Sequence, residues 1–177
     1  MVACLAAGPV WAEGTRVSVE TGPLDLALGG LGAGAAVTPS SSPHWRVGST
    51  AYRLELPKFI TELDSANVGW TATLTFGIDI NVSYQVAESG KGWFFEGIVP
   101  YERYRYEHDG MSTTAANLSL TVGAGYKWMP FDNGLFVRPL LGVAVRLAST
   151  GSRSVGGKEF ADPLVKPLPV IHVGYEF

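Results

Sequence analysis

Apolar and polar side chains alternate along most of this sequence, and the longest example runs from Trp70 to Tyr84. Its even positions are all apolar or aromatic, and its odd positions are small or polar: Thr71, Thr73, Thr75, Gly77, Asp79, Asn81 and Ser83. Successive side chains of a β-strand point to opposite faces, so the segment predicts one strand with an apolar face and a polar face. At about 3.3 Å per residue the strand is roughly 46 Å long, and a tilt of about 40° leaves a rise of about 35 Å.

The same alternation recurs along the chain and predicts an all-β protein of about eight strands. Their expected limits are 14–22, 24–37, 45–56, 70–86, 93–106, 114–128, 135–149 and 168–177. The connections 87–92 and 130–134 are short and contain glycine, whereas 57–69, 107–113 and 150–167 are longer or more polar. Strands joined in this order predict a closed antiparallel up-and-down barrel.

One segment and two prolines depart from the regular strand pattern. The segment from Leu56 to Leu63 loses the period of two, and Pro57 suits the first turn of a helix, so we expect a short helix in this loop. Pro100 and Pro139 fall inside expected strands, where each removes a hydrogen-bond donor. They indicate either bulges or misplaced strand limits.

Composition narrows the class of protein. The chain is 46% hydrophobic and only 16% charged, and no stretch is long and apolar enough for a membrane-spanning helix. The net charge of −3, without a basic stripe, argues against a nucleic-acid partner. With one cysteine, Cys4, the chain can form no internal disulfide.

The first twelve residues are apolar and end Val10-Trp11-Ala12, a spacing that resembles a secretory cleavage site. We therefore expect 1–12 to be a signal peptide, truncated because its positive charges are missing, and 13–177 to be one barrel domain. A plain apolar terminus, or a lipoprotein joined through Cys4 if residues are missing upstream, are the alternatives.

The direction of the apolar face separates a soluble barrel from a membrane barrel. The polar faces are rich in Gly, Ser, Thr and Asn, which suit a cramped interior better than a water-exposed surface. Aromatic residues also lie near the strand ends of the apolar face, where membrane interfaces favour them. On the side of the short turns these are Trp45, Tyr84, Trp93, Tyr126, Trp128, Tyr175 and Phe177, and on the opposite side Trp70 and Tyr101. We therefore expect a transmembrane β-barrel.

The last seven residues, Ile171-His-Val-Gly-Tyr-Glu-Phe177, place Ile171, Val173, Tyr175 and Phe177 on one face. This ending resembles the C-terminal assembly signal of outer-membrane β-barrel proteins. With the strand rhythm and turn order, the whole chain resembles the small eight-stranded barrels of OmpA/OmpX-like architecture, without pointing to one subfamily. The resemblance implies a monomer in the outer membrane of a Gram-negative bacterium, with short turns in the periplasm and longer loops outside. Its expected partners are outer-membrane lipid and the barrel assembly machinery.

Several charged side chains are expected to face the lumen: Asp79, Glu96, Glu102, Arg138, Arg146, His172 and Glu176. An unpaired charge in so narrow an interior is costly, so we expect Glu96 and Glu102 to meet Arg138 and Arg146 across the lumen. The favoured interpretation is a plug of ion pairs in a structural or surface-interaction barrel. A narrow conduit for small or apolar compounds remains an alternative.

Catalytic chemistry has little support in the sequence. His108, Asp109 and Ser112 are the residue types of a hydrolytic triad, but within five loop residues they indicate a solvated turn. An outer-membrane lipid-modifying enzyme, a deacylase or acyltransferase, therefore stays a second alternative. The three histidines lack metal-ligand spacing, and the glycines of 30–35 are followed by Pro39 and Pro43 instead of a nucleotide-binding helix. We expect no metal and no cofactor.

Overall fold

The structure is a computed structural model that describes residues 14–62, 64–131 and 133–177. The expected signal peptide and Cys4 lie outside the described residues. No helix in the described part of the chain is long and apolar enough to cross a membrane.

Eight strands close into one antiparallel barrel, and a two-stranded hairpin lies in the last loop. The strands are β1 (Arg16–Thr21), β2 (Leu31–Thr38), β3 (Trp45–Glu55), β4 (Thr71–Gln85), β5 (Gly92–His108), β6 (Met111–Lys127), β7 (Leu135–Gly151), β8 (Ser154–Val155), β9 (Lys158–Glu159) and β10 (Val165–Glu176). Each barrel strand pairs with its neighbour in the chain, and β10 returns to pair with β1, while β8 and β9 form the hairpin. The predicted up-and-down barrel is confirmed.

The two ends of the barrel differ in their connections. At the turn end, where β1 begins and β10 ends, the chain makes the turns 39–44, 86–91 and 128–134. At the loop end it makes the connections 22–30, 56–70, 109–110 and 152–164. The expected loop 107–113 is wrong, because β5 and β6 meet in a two-residue turn at Asp109 and Gly110, whose φ angles are 50° and 75°. An Asp-Gly pair with two positive φ angles matches the twist of a hairpin, so both strands extend.

Two short α-helices and a 3₁₀ turn (Ser65–Asn67) lie at the loop end. The first, α1 (Pro23–Ala27), interrupts what the alternation predicts to be a continuous strand over 24–37, and β2 begins only at Leu31. Pro23 suits a first helical turn, and Gly29, with φ of 75°, suits the position after a helix. The second helix, α2 (Lys58–Thr61), is the short helix predicted after Pro57. Leu63, the last residue of that prediction, lies outside the described residues.

An extra residue in β4 reverses the facing of the residues at the start of this strand. Leu74 pairs with Tyr104 of β5 but Phe76 pairs with Arg103, so Thr75 is a bulge, and its hydroxyl donates to the Arg103 carbonyl at 2.9 Å. After the bulge, the apolar residues 76–84 face outward as expected. Before it, Trp70, Ala72 and Leu74 face the lumen and are buried.

Neither proline marks a bulge. The pairs Ile98–Thr121 and Tyr101–Leu118 keep one register on both sides of Pro100. Pro139 likewise lies between two pairs that share one register. These are Gly125 with Leu140, and the isolated bridge of Trp128 with Val137. Each proline therefore omits a hydrogen bond without adding a residue.

Candidate functional site

The polar half of the lumen, towards the turn end, is filled by buried ion pairs. Arg138 on β7 is 1% exposed and lies 2.9 Å from the Glu96 carboxylate on β5. Its guanidinium also donates to the Ser83 hydroxyl at 2.9 Å and stacks 3.9 Å from the centre of the Phe94 ring. The strand alternation places all four side chains on the inner face, and the predicted meeting of Glu96 with Arg138 is present in the structure.

A second pair lies beside the first. Arg46 on β3 donates to the Glu20 carboxylate on β1 at 2.7 Å and to the Ser18 hydroxyl at 3.2 Å. His172 on β10 lies 3.6 Å from the other Glu20 oxygen. The sequence analysis singled out His172 but missed Glu20 and Arg46. Their alternation with apolar neighbours, as in Trp45-Arg46-Val47, was the available signal.

A third group closes the lumen at the turn end. Lys127 on β6 donates to the Glu176 carboxylate at 2.6 Å, and its ammonium lies 4.6 Å from the centre of the Phe136 ring. Arg16 lies 3.6 Å from the same carboxylate. Lys127 and Arg16 were not predicted, but they explain how the lumen-facing Glu176 is compensated.

Closer to the loop end of the lumen, Glu102 and Arg146 have partners other than those predicted. Glu102 accepts hydrogen bonds from the hydroxyls of Tyr52 at 3.1 Å and Tyr104 at 3.0 Å, instead of meeting an arginine. Asp79 accepts from Asn81 at 3.0 Å. Arg146 pairs with Asp162, which belongs to the last loop. The sequence could not place Asp162, because a loop residue has no fixed face.

The loop-end half of the lumen holds an aromatic plug, which we define as Trp70, Leu74, Tyr104, Tyr106, Val155 and Phe160. Phe160, from the loop after β9, lies 4.7 Å from Tyr106 and 5.6 Å from Trp70 between ring centres. Trp70 is 1% exposed, so its expected position at a membrane interface is wrong. The bulge at Thr75 turns this part of β4 inward.

Polar contacts hold the last loop in place over the plug. Asn67 exchanges two hydrogen bonds with the backbone of Ala161, one donated at 2.8 Å and one accepted at 2.7 Å. Asp162 is surrounded by Arg146, Arg153 at 3.3 Å and Lys166 at 3.8 Å. The last loop thus contributes Phe160 to the aromatic plug, and it contributes the Asp162 carboxylate that compensates three cations at the loop end.

The residues of the possible hydrolytic triad lie on opposite sides of the barrel wall. His108 shares the inner face of β5, stacks on Trp70 with ring centres 4.8 Å apart, and lies 2.9 Å from the Lys158 ammonium. Ser112 pairs with Glu107 on the outer face and is exposed. A base and a nucleophile separated by the sheet cannot act together. Within the ranges that the structure describes, no cluster of His, Cys, Asp or Glu could hold a metal ion.

Exposed aromatic side chains form a girdle around the turn end. Neighbouring strands contribute edge-to-face pairs, with ring centres 5.3 Å apart for Trp45 and Tyr84 and 5.5 Å apart for Trp93 and Tyr126. Trp128, Tyr175 and Phe177 are exposed at the same end, and exposed Tyr101 lies further towards the loop end. The other members of the C-terminal motif, Ile171 and Val173, are half-buried.

Solved structures similar to this one are outer-membrane barrels. The N-terminal β-barrel domain of Pseudomonas aeruginosa OprF superimposes with a TM-score of 0.56 at 10% identity, covering 92% of this chain and 97% of that one. A major outer membrane protein of Thermus thermophilus gives a TM-score of 0.50 at 15% identity, covering 92% and 98%. No family model matches the chain, and no curated protein sequence matches it either. At these identities the likeness shows the fold of a small outer-membrane β-barrel.

Proposed function

We propose that this protein is an outer-membrane β-barrel of a structural or surface-interaction type, closed to diffusion along its axis. The observation that carries the proposal is the double closure of the lumen. Arg138 and Glu96 fill the turn-end half, and Phe160 is wedged between Trp70 and Tyr106 at the loop end. An eight-stranded barrel has no spare interior once such side chains occupy it.

The outer surface supports residence in a membrane. Large apolar side chains are exposed in a continuous belt on four adjacent strands: Phe76, Ile78, Ile80, Val82, Phe95, Val99, Tyr101, Leu118, Leu120, Val122, Leu141, Val143 and Leu147. A soluble protein rarely leaves so large an apolar patch in water, whereas outer-membrane barrels present an apolar band to lipid. The fold of the similar solved structures favours the outer membrane of a Gram-negative bacterium.

The orientation follows from the connections. Short turns of outer-membrane barrels lie in the periplasm and longer loops outside, so the turn end is proposed to be periplasmic. The outward surface is then formed by the loops that carry α1, α2 and the β8–β9 hairpin, with Phe59 and Val68 exposed. The strand ending in Tyr175 and Phe177 is proposed to engage the barrel assembly machinery, and the barrel to act as a monomer.

Planar-bilayer recording tests the closed lumen. The purified barrel, checked for folding by its gel mobility before and after boiling, should insert without producing conductance steps. A variant with 154–161 replaced by a Gly-Ser linker should also be silent, because the ion pairs at the turn end still fill the lumen. Regular conductance steps from the wild-type barrel would refute the closed lumen, and recovery of the protein in the soluble cell fraction would refute its membrane location.

A further inference from the structure

The barrel wall is incomplete on one side of its loop-end half. β1 pairs with β10 only from Ser18 to Thr21, opposite 173–176, so no pair joins residues 165–172 of β10 to β1. β2, on the other flank, pairs with β1 only over 34–38. Leu31 and its next two residues have no ladder pair on that edge, where the Gly32 carbonyl accepts from the Thr21 hydroxyl at 2.6 Å. Both strands remain fully paired on their other sides, with β7 and β3. A gap between β2 and β10, which we call the seam, therefore lies above the end of β1.

The sequence of β10 fits an edge without a partner. Arg146 donates to the Leu164 carbonyl at 2.9 Å, so even positions of this region bond to β7. Phe177 donates to the Val17 carbonyl at 2.8 Å, so odd positions point to β1 and, higher up, to the seam. Pro167 and Pro169 are odd, and proline has no backbone donor. Two of the donors that would face the seam are thus missing, as on protected edge strands.

The helix α1 lies over the seam without belonging to the sheet. It packs against β10 and β2, and its backbone hydrogen bonds include local ones from Leu26 to the Gly22 carbonyl at 3.3 Å and from Gly29 to the Leu26 carbonyl at 3.1 Å. Beyond its C-terminal end, an open cleft of about 370 Å³, lined mainly by apolar residues such as Leu28 and Phe59, separates it from α2. None of the ladder pairs given for β1, β2 and β10 involves α1, and the cleft leaves space beside its C-terminal end.

Inward-facing side chains of β10, beside the seam, are more exposed to solvent than the residues paired with them on β7. Val170 and His172 face the lumen from β10 and are half-buried, whereas the residues paired with them on β7, Leu140 and Arg138, are buried. Val170 packs against an apolar patch of Phe94, Ile98 and Leu140. The seam thus leads sideways to an apolar part of the lumen.

We propose that the seam is a lateral opening, covered by α1, through which a hydrocarbon chain of a membrane lipid reaches Leu168, Val170 and the apolar patch behind them. The proposal rests on the membrane location proposed above. In that location the outer faces of the strands beside the seam expose Val19, Leu31 and Val165 to lipid, and both axial routes are closed, so the ligand comes from the bilayer. An apolar lining, with two backbone donors missing from the β10 edge, favours an acyl chain over a polar solute.

Contact quenching by lipid chains tests this opening. Single cysteines replace Leu168 or Val170 in a Cys4→Ser background, carry a bimane label, and are reconstituted in phosphatidylcholine vesicles with or without brominated acyl chains. Ala144→Cys is the inward control, because Ala144 on β7 is buried, lies outside the apolar patch and is the register partner of Lys166, and Leu141→Cys is the outward control. Ala115→Cys on β6, also buried and inward, serves if the label at Ala144 prevents folding.

Quenching of the labels at positions 168 and 170 should lie within about twofold of the quenching at position 141. Quenching of the inward control should be several-fold lower, because hydrocarbon contacts only surfaces that are open to it. Replacing 22–30 with a flexible linker of equal length should raise quenching at 168 and 170 further and leave the control unchanged. Quenching at both seam positions no greater than at the inward control overturns the lateral opening. An unquenched label at position 141 instead refutes the membrane location, and with it the basis of this proposal.

Discussion

At the scale of single residues, the lumen depends on charges that have no access to water. Arg138 and Arg46 are each 1% exposed, and each faces one carboxylate and a serine hydroxyl. Removing an ion from water costs several kcal/mol, so a buried charge persists only with an opposite charge beside it. This makes each pair sensitive to the loss of one partner and tolerant of the loss of both.

Glu96→Gln should therefore destabilise the barrel by about 3–5 kcal/mol, because it leaves the Arg138 guanidinium buried without an opposite charge while keeping the side-chain shape. Unfolding by urea in lipid vesicles, followed by tryptophan fluorescence, measures the loss. Glu107→Gln is the matched control, since Glu107 pairs with Arg105 at 2.6 Å while its side chain is 45% exposed, and it should cost at most about 1 kcal/mol. Equal losses in the two variants would contradict the role of the buried pair.

The same residues show how far a candidate site can be predicted from sequence. Glu96 and Arg138 lie in strands with a clear alternation, so their shared inward face is readable. Glu20 and Arg46 form an equally buried pair that was missed. Arg46 alternates with apolar neighbours and was readable, whereas the small residues of 29–36 leave the facing of the first two strands, and so of Glu20, ambiguous. Asp162 compensates Arg146 from a loop, where position depends on the whole fold and no local pattern exists.

At the scale of elements, strand order is predictable and local irregularities are not. The period of two gave the eight barrel strands, since a strand long enough to line a barrel must repeat its facing many times. One inserted residue at Thr75 then reverses the facing of residues 70–74, and Trp70 lies in the plug instead of on the surface. The bulge is set by pairing with both neighbouring strands, so the composition of β4 contains no sign of it.

The last loop is held over the plug by side-chain contacts, and Asn67 supplies two hydrogen bonds among them. Asn67→Ala removes both hydrogen bonds to Ala161, at about 1 kcal/mol each, and should raise the open population of the loop by roughly tenfold or more. Tryptic cleavage at Arg153 and Lys158 reports that population when cleavage is slower than reclosing. The rate of cleavage in detergent micelles should rise accordingly.

A matched control lies at the opposite end of the barrel. Asn133 accepts one hydrogen bond from the Leu135 backbone in a turn-end connection, so Asn133→Ala removes a similar contact without touching the loop. Its cleavage at Arg153 and Lys158 should match that of the wild-type barrel. Equal acceleration in both variants would indicate general destabilisation instead of release of the loop.

At the scale of the whole molecule, the turn-end half of the lumen is polar while the outer surface is apolar. This is the reverse of a soluble barrel, so lipid suits the outer surface better than water does. Depth along the strands can be read from the aromatic girdle. Ile80 lies four residues beyond Tyr84, about 13 Å along the strand and about 10 Å in rise after tilting. An apolar band is about 25 Å tall, so Ile80 falls near its middle, whereas Val86 lies at or beyond the girdle.

Ile80→Arg should therefore cost about 2–4 kcal/mol, while Val86→Arg should cost about 0–1 kcal/mol, because the cost of a charge falls from the centre of the bilayer to its interface. Both side chains face outward and are similarly exposed, at 63% and 53%, so burial in the protein cannot explain a difference. Denaturant unfolding in phosphatidylcholine vesicles measures both variants against the wild type. If the two substitutions cost the same, hydrocarbon does not surround this belt, and the apolar face needs another partner.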